Sequence, residues 1–172
     1  VVALKEVGFV EDSQGTLIDR VNREAQLFKD VGVAVGEAGQ RWLETSTQLC
    51  ADLETFGDAA LLDPEVQDAD RSGHVRAAAE LFERVAVLSP RVPQMLAGLS
   101  AQADSFKDLL GECVTAVSDG TVDVALVERA QRMRASFETS YVSMADLLDE
   151  VAAIDEALRF QLVRLGLRDG GQ

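Results

Sequence analysis

Apolar residues recur along this chain at steps of three and four, in three long runs. In the first run one residue returns every seven: Val21, Phe28, Val35, Trp42, Leu49 and Phe56. Leu17, Val31 and Ala38 take the alternate positions, with Ala25, Gly32, Gly39 and Leu53 beside them. A helix carrying such a repeat buries it against neighbours in a left-handed coil. The spacing predicts a helix over 13–60, after a lead-in of residues 1–12. Gly32, Gly36 and Gly39 fall inside it. Each weakens a helix by about 1 kcal/mol relative to Ala. Their clustering predicts that another backbone comes close; the alternative is a locally weakened helix.

The second run is Val75, Ala78, Phe82, Val85, Ser89, Val92, Leu96, Leu99, Ala103, Phe106, Leu110, Cys113 and Val117. Its phase is kept across Ser89-Pro90-Arg91-Val92-Pro93. Helices joined by a loop need not keep phase, so one helix is predicted over 64–118, bent at Pro90 and Pro93. Those prolines lack the N–H groups that would bond back to Ala86 and Ser89. The competing arrangement is two helices, with Ser89 as N-cap and Pro90 in the first helical position. Upstream, Asp63-Pro64-Glu65 reads as a cap, a first-position proline and a first-turn acid. Ser118-Asp119-Gly120-Thr121 is a tight polar reversal.

A third run follows, from Val127, Ala130, Arg134, Phe137, Tyr141, Met144, Leu148 and Val151 to Asp155, Leu158, Leu162 and Leu165. It predicts a helix over 121–168, closed by Arg168 and the glycines at 170 and 171, with 169–172 as a tail. Asp155 is the odd acid on this stripe: a register device, an arginine partner or a residue at a water-facing gap. Short connections make consecutive helices antiparallel. The expectation is an all-α fold, one elongated antiparallel three-helix coiled coil over 13–168. Helices of about 45 residues would each rise about 65–70 Å. So thin a section leaves apolar surface that a second copy would cover, which predicts a homodimer.

Composition narrows the function. Sixteen Lys+Arg stand against 30 Asp+Glu in 172 residues, a net charge of -14. That excludes a general nucleic-acid binder, because phosphate neutralisation needs surplus cations. No apolar run reaches the roughly 18 residues of a membrane span. The opening VVALKEVGFVED has neither a basic nor a long apolar leader region, which predicts no signal peptide. With no initiator Met, the chain reads as a piece of a longer protein. Cys50 and Cys113 lie far apart without metal-ligand spacing, and His74 is the only histidine. These read as two buried thiols and a surface histidine in a reducing, cytoplasmic compartment, with peripheral membrane attachment open. Phosphate-binding glycine loops, zinc-binding His-Glu-x-x-His and nucleophile elbows are missing from the sequence. The expectation is no catalytic residue, no metal and no cofactor.

Two stretches carry a family likeness. The first is Phe9-Val10-Glu11-Asp12-Ser13 leading into Leu17 to Phe56, with Phe28-Lys29-Asp30-Val31 inside it. The second is Ser136-Phe137-Glu138-Thr139-Ser140-Tyr141, continuing through Leu147, Val151 and Ile154 to Leu158-Arg159-Phe160-Gln161. Together they resemble the BAR domain, of the type preceding PH and GTPase-activating modules in Arf- and Rho-directed activating proteins. The resemblance implies a homodimer that scaffolds curved membranes, with Val151, Leu158, Leu162 and Leu165 in or near the dimer contact. The chain departs from that pattern in its distal arm, which is short and acidic. Residues 63–120 hold five Lys+Arg against ten Asp+Glu. An up-down-up arrangement places Arg20 and Arg23 at the same end as Arg129, Arg132 and Arg134, a candidate contact for anionic headgroups. The plain alternative for these arginines is surface ion pairing with Asp19, Glu24, Asp123 and Glu128. The competing function is an acidic coiled-coil adaptor that binds proteins without touching lipid.

Overall fold

The computed structural model describes the backbone of residues 2–62 and 69–168, and side chains over 15–57 and 72–168. Among the described residues four helices follow one another: α1 (Val2–Leu62), α2 (Ala69–Leu88), α3 (Arg91–Ser118) and α4 (Val124–Arg164). The described residues contain no strand. The chain divides into two compact units. Unit 1 comprises Val1–Glu37 and Ala97–Val142, and unit 2 comprises Ala38–Leu96 and Ser143–Gln172.

Side-chain pairs give the helix directions in each unit. In unit 1, Arg20 meets Gln131 and Glu24 meets Arg134, so α1 and α4 run parallel. There Gln102 meets Ser140 and Glu112 meets Arg129, so α3 runs antiparallel to α4. In unit 2, Arg41 pairs with Asp149 and Asp52 with Arg159, again parallel. His74 with Gln161 and Arg84 with Glu150 set α2 antiparallel to α4. Each unit is thus an up-down-up section of three helical segments.

The buried residues follow the apolar spacing. Ala78, Val85, Val92, Leu99, Phe106 and Cys113, seven apart, are all at most 3% exposed. In unit 1, Phe106 meets the Phe28 ring edge-on at 5.7 Å between centroids. In unit 2, Leu49 of α1 and Met144, Leu148, Val151, Ile154, Leu158 and Leu162 of α4 are buried. Each large apolar side chain so buried stabilises by about 1.5–3 kcal/mol.

Several element boundaries differ from the sequence expectation. The helix predicted over 64–118 is interrupted at Ser89 and Pro90, which form a turn between α2 and α3. Ser89 N–H still donates to the Val85 carbonyl at 2.8 Å, and Val92 N–H reaches the Ser89 carbonyl at 3.2 Å. Pro93 has no N–H for that carbonyl, so the tighter Val92 bond satisfies it. The predicted lead-in is helical from Val2, and the cap at Asp63-Pro64-Glu65 lies outside the described residues. Gly166 (φ +69°) and not the later glycines stops α4. There Leu167 N–H bonds the Leu162 carbonyl and Gly166 N–H the Val163 carbonyl, a Schellman cap. The reversal at Gly120 (φ +66°) uses the same motif, with Thr121 N–H on Ala116 and Gly120 N–H on Val117. Asp123 then caps α4 by accepting from Leu126 N–H at 2.8 Å.

A Cβ on Gly32, Gly36 or Gly39 would meet no atom within 4 Å. Among the described residues the predicted close approach is therefore not made, and those glycines are points of locally weaker helix. No helix of the described residues is long and apolar enough to cross a membrane.

Candidate interaction site

Of the five arginines that the sequence gathers at one end, Arg20 and Arg23 lie on α1, and the other three divide between two sides of α4. Arg134 turns to α1, where its Nε donates to Glu24 at 2.7 Å and its Nη1 to Glu138 at 2.5 Å. Arg20 reaches across from α1 and donates to Gln131 of α4 at 2.8 Å. Arg129 and Arg132 instead line the furrow between α3 and α4, paired with Glu112 and Glu128 at 3.6 Å. Arg23 is exposed. The five do not form one basic patch, and three are matched by glutamates. Of the four acids considered as their surface partners, Glu24 and Glu128 are used.

The Glu24–Arg134 pair is a polar layer inside unit 1. Glu24 is 1% exposed and lies on the buried stripe of α1, three residues after Val21. Unit 2 has a larger layer. Asp52, fully buried, accepts from Arg168 and lies 3.5 Å from Arg159 Nε. Arg159 also donates through Nη2 to Asp155 at 2.7 Å, whereas Asp155 Oδ1 has no hydrogen-bond partner. Burial pushes the Asp155 carboxyl above its ordinary value, and Arg159 pulls it partly back. Of the open readings of Asp155, the arginine partner is the one this arrangement fits. Glu24 and Asp52 were legible as positions three residues along the apolar stripe, but periodicity reads only apolar residues.

Two furrows flank α4 in unit 1. The one towards α3 has a volume of about 470 Å³ and is lined by Gln102, Ser105, Arg129, Arg132 and Ser136. The one towards α1 is smaller, about 270 Å³, and more apolar. Val31 and Phe137 floor it, and both are buried. Tyr141 stacks on Phe137 at 6.4 Å between centroids, and Val142 stands 58% exposed at the edge. Asp30 and Glu138 supply the rim carboxylates.

No family model, curated protein or solved structure matches the chain.

The four residues expected near a dimer contact are taken up inside unit 2. Val151, Leu158 and Leu162 are fully buried and Leu165 is 7% exposed. Their apolar surface is already covered by the chain's own helices, so a contact on this half of α4 would use other side chains, such as exposed Phe160. Pro90 lies in the turn before α3, and Pro93 in its first turn. Cys50 is exposed, against the expectation of two buried thiols. Cys113 is buried, and desolvation with help from Glu112 pushes its thiol up, away from the reactive thiolate. His74 is half-buried, its Nδ1 2.7 Å from Gln161. Among the described residues no group of three or more His, Cys, Asp or Glu is placed to hold a metal ion.

Proposed function

We propose that this chain is an acidic helical adaptor, binding other proteins through the exposed faces of its three-helix sections and not through lipid. The observation that carries this reading is the disposition of Arg129, Arg132 and Arg134. They lie on two sides of α4 and each faces a glutamate. A polybasic surface gains about 1 kcal/mol per cation near anionic lipid. Arg134 is spent on buried Glu24, and exposed Arg129 and Arg132 each have a glutamate beside them, which lowers the positive potential they offer on a chain of net charge -14. Meanwhile Val33, Leu43, Val87, Val142 and Phe160 remain more than half exposed, apolar points that suit protein contacts.

A second reading is the BAR-like homodimer, an elongated three-helix coiled coil scaffolding curved membranes. The up-down-up order in each unit favours it. Two measurements on residues 1–172 separate the readings. Vesicles of phosphatidylserine and phosphatidylcholine are sedimented with the protein at about 0.15 M salt, and the molar mass is read by light scattering. The adaptor stays in the supernatant. Pelleting with the vesicles together with a mass twice 18.5 kDa would replace it with the BAR-like dimer.

A further inference from the structure

The furrow between α1 and α4 of unit 1 has the size of a side chain. At about 270 Å³ it falls just below the range of small-molecule sites, roughly 300–1,000 Å³. Its floor is apolar and aromatic, built from Val31, Phe137 and the ring of Tyr141. Its walls are two parallel helices, whose facing ridges leave a trough along their axes. Helices bind such troughs by laying down one apolar face, with anchors at steps of three and four.

Charge selects among the occupants. The lining carries two carboxylates, Asp30 and Glu138, and one guanidinium, Arg134. That guanidinium is already held between Glu24 and Glu138. A second copy of this chain, anionic lipid and nucleic acid all bring negative charge to a surface of net charge -14. A helix with lysine or arginine beside its apolar stripe brings the opposite sign.

We infer that this furrow seats a large apolar side chain from a basic amphipathic helix of a partner protein. The inference rests on the adaptor reading and gives it a site and a partner chemistry. Val142, at the mouth, meets the partner's next apolar residue, and Asp30 faces its cations.

The test uses the full chain and two fluorescent helical peptides, read by anisotropy at about 0.15 M salt. One peptide has leucine on one face and lysine on the other; its companion has serine for every leucine, at the same charge. The leucine peptide binds, and its companion binds about tenfold more weakly, a difference of about 1.4 kcal/mol. Ala34→Trp fills the furrow and weakens the leucine peptide by a similar factor. Val142→Ser, a neutral change at an exposed residue, also weakens it, without touching the fold. Asp30→Asn weakens it less, and the remaining affinity depends less on salt. Ala101→Trp, in the α3–α4 furrow, leaves it unchanged. Equal binding of both peptides would overturn the proposal, since charge alone would then account for it. Binding lost in Ala101→Trp but kept in Ala34→Trp and Val142→Ser would overturn the site and leave the adaptor reading standing. No binding of either peptide, with pelleting on anionic vesicles, would overturn both.

Discussion

Glu24 occupies a position on α1 that its neighbours Val21, Phe28 and Val31 would fill with an apolar side chain. A carboxylate only 1% exposed persists there because Arg134 donates to it. Its hydrogen bond and the surrounding charge hold the Arg134 guanidinium above its ordinary value. Removing one partner of a buried pair costs about 3–5 kcal/mol, whereas replacing both by apolar residues is often neutral or stabilising. Arg134 keeps Glu138 and some solvent, so Glu24→Leu alone should cost about 2 kcal/mol, below that range. Glu24→Leu with Arg134→Met should return to within about 1 kcal/mol of the parent or exceed it. Urea unfolding of the four proteins in the cycle measures the coupling. Asp155 makes a prediction about pH. Its folded-state value is raised by burial, so the folded chain holds a proton that the unfolded chain has released. The ionised carboxylate therefore disfavours folding above the raised value, and that penalty fades as pH falls towards the ordinary carboxylate range. Asp155→Asn should match or exceed the parent's stability at neutral pH. Its advantage should shrink through the weakly acidic range and level off below it. A stability difference independent of pH would rule out the raised value.

At the scale of elements, the turn at Ser89–Pro90 is where pattern and backbone part company. Side chains at Val85, Val92 and Leu99 stay in phase, all at most 3% exposed, although the helix is interrupted between the first two. The apolar stripe reports which face is buried; it does not report whether each backbone N–H finds its carbonyl. Pro90→Ala with Pro93→Ala supplies the two missing donors. It should join α2 and α3 across residues 89–90, slow amide exchange there, and raise stability by up to about 3 kcal/mol. Fast exchange at the new amides of residues 90 and 93 would show that packing and not proline sets the turn. The reversal at 118–121 was legible because Gly120 and its polar neighbours are local signals. Its Schellman bonds and the Asp123 cap are local too, and both lie where the turn chemistry placed the change of direction. The stop of α4 was misplaced by several residues, because Gly166, Gly170 and Gly171 are equally good glycines in sequence and only the backbone path chooses one.

For the whole molecule, net charge sets how stability responds to salt. The exposed pairs Arg41–Asp149 and Arg84–Glu150 are open to solvent and contribute little. Self-repulsion among 30 acids dominates. Raising ionic strength from about 0.01 M to 0.15 M shortens the Debye length from about 30 Å to 8 Å. The melting temperature should therefore rise over that interval. A fall would mean that favourable ion pairs outweigh the repulsion.

Helical content, the buried stripes, the reversal at Gly120 and an acidic surface are all legible in the order of residues along the chain. Each of these follows from spacing along one helix or from a sum over residues. Which charges are spent is a matter of packing in three dimensions. Packing places Arg134 against buried Glu24 and draws Val151, Leu158 and Leu162 into the chain's own core. Those outcomes depend on how each helix is rotated about its axis relative to its neighbours. Apolar periodicity marks the buried face of a helix, but which flanking residue then meets which partner is decided by the packing of all three helical segments together.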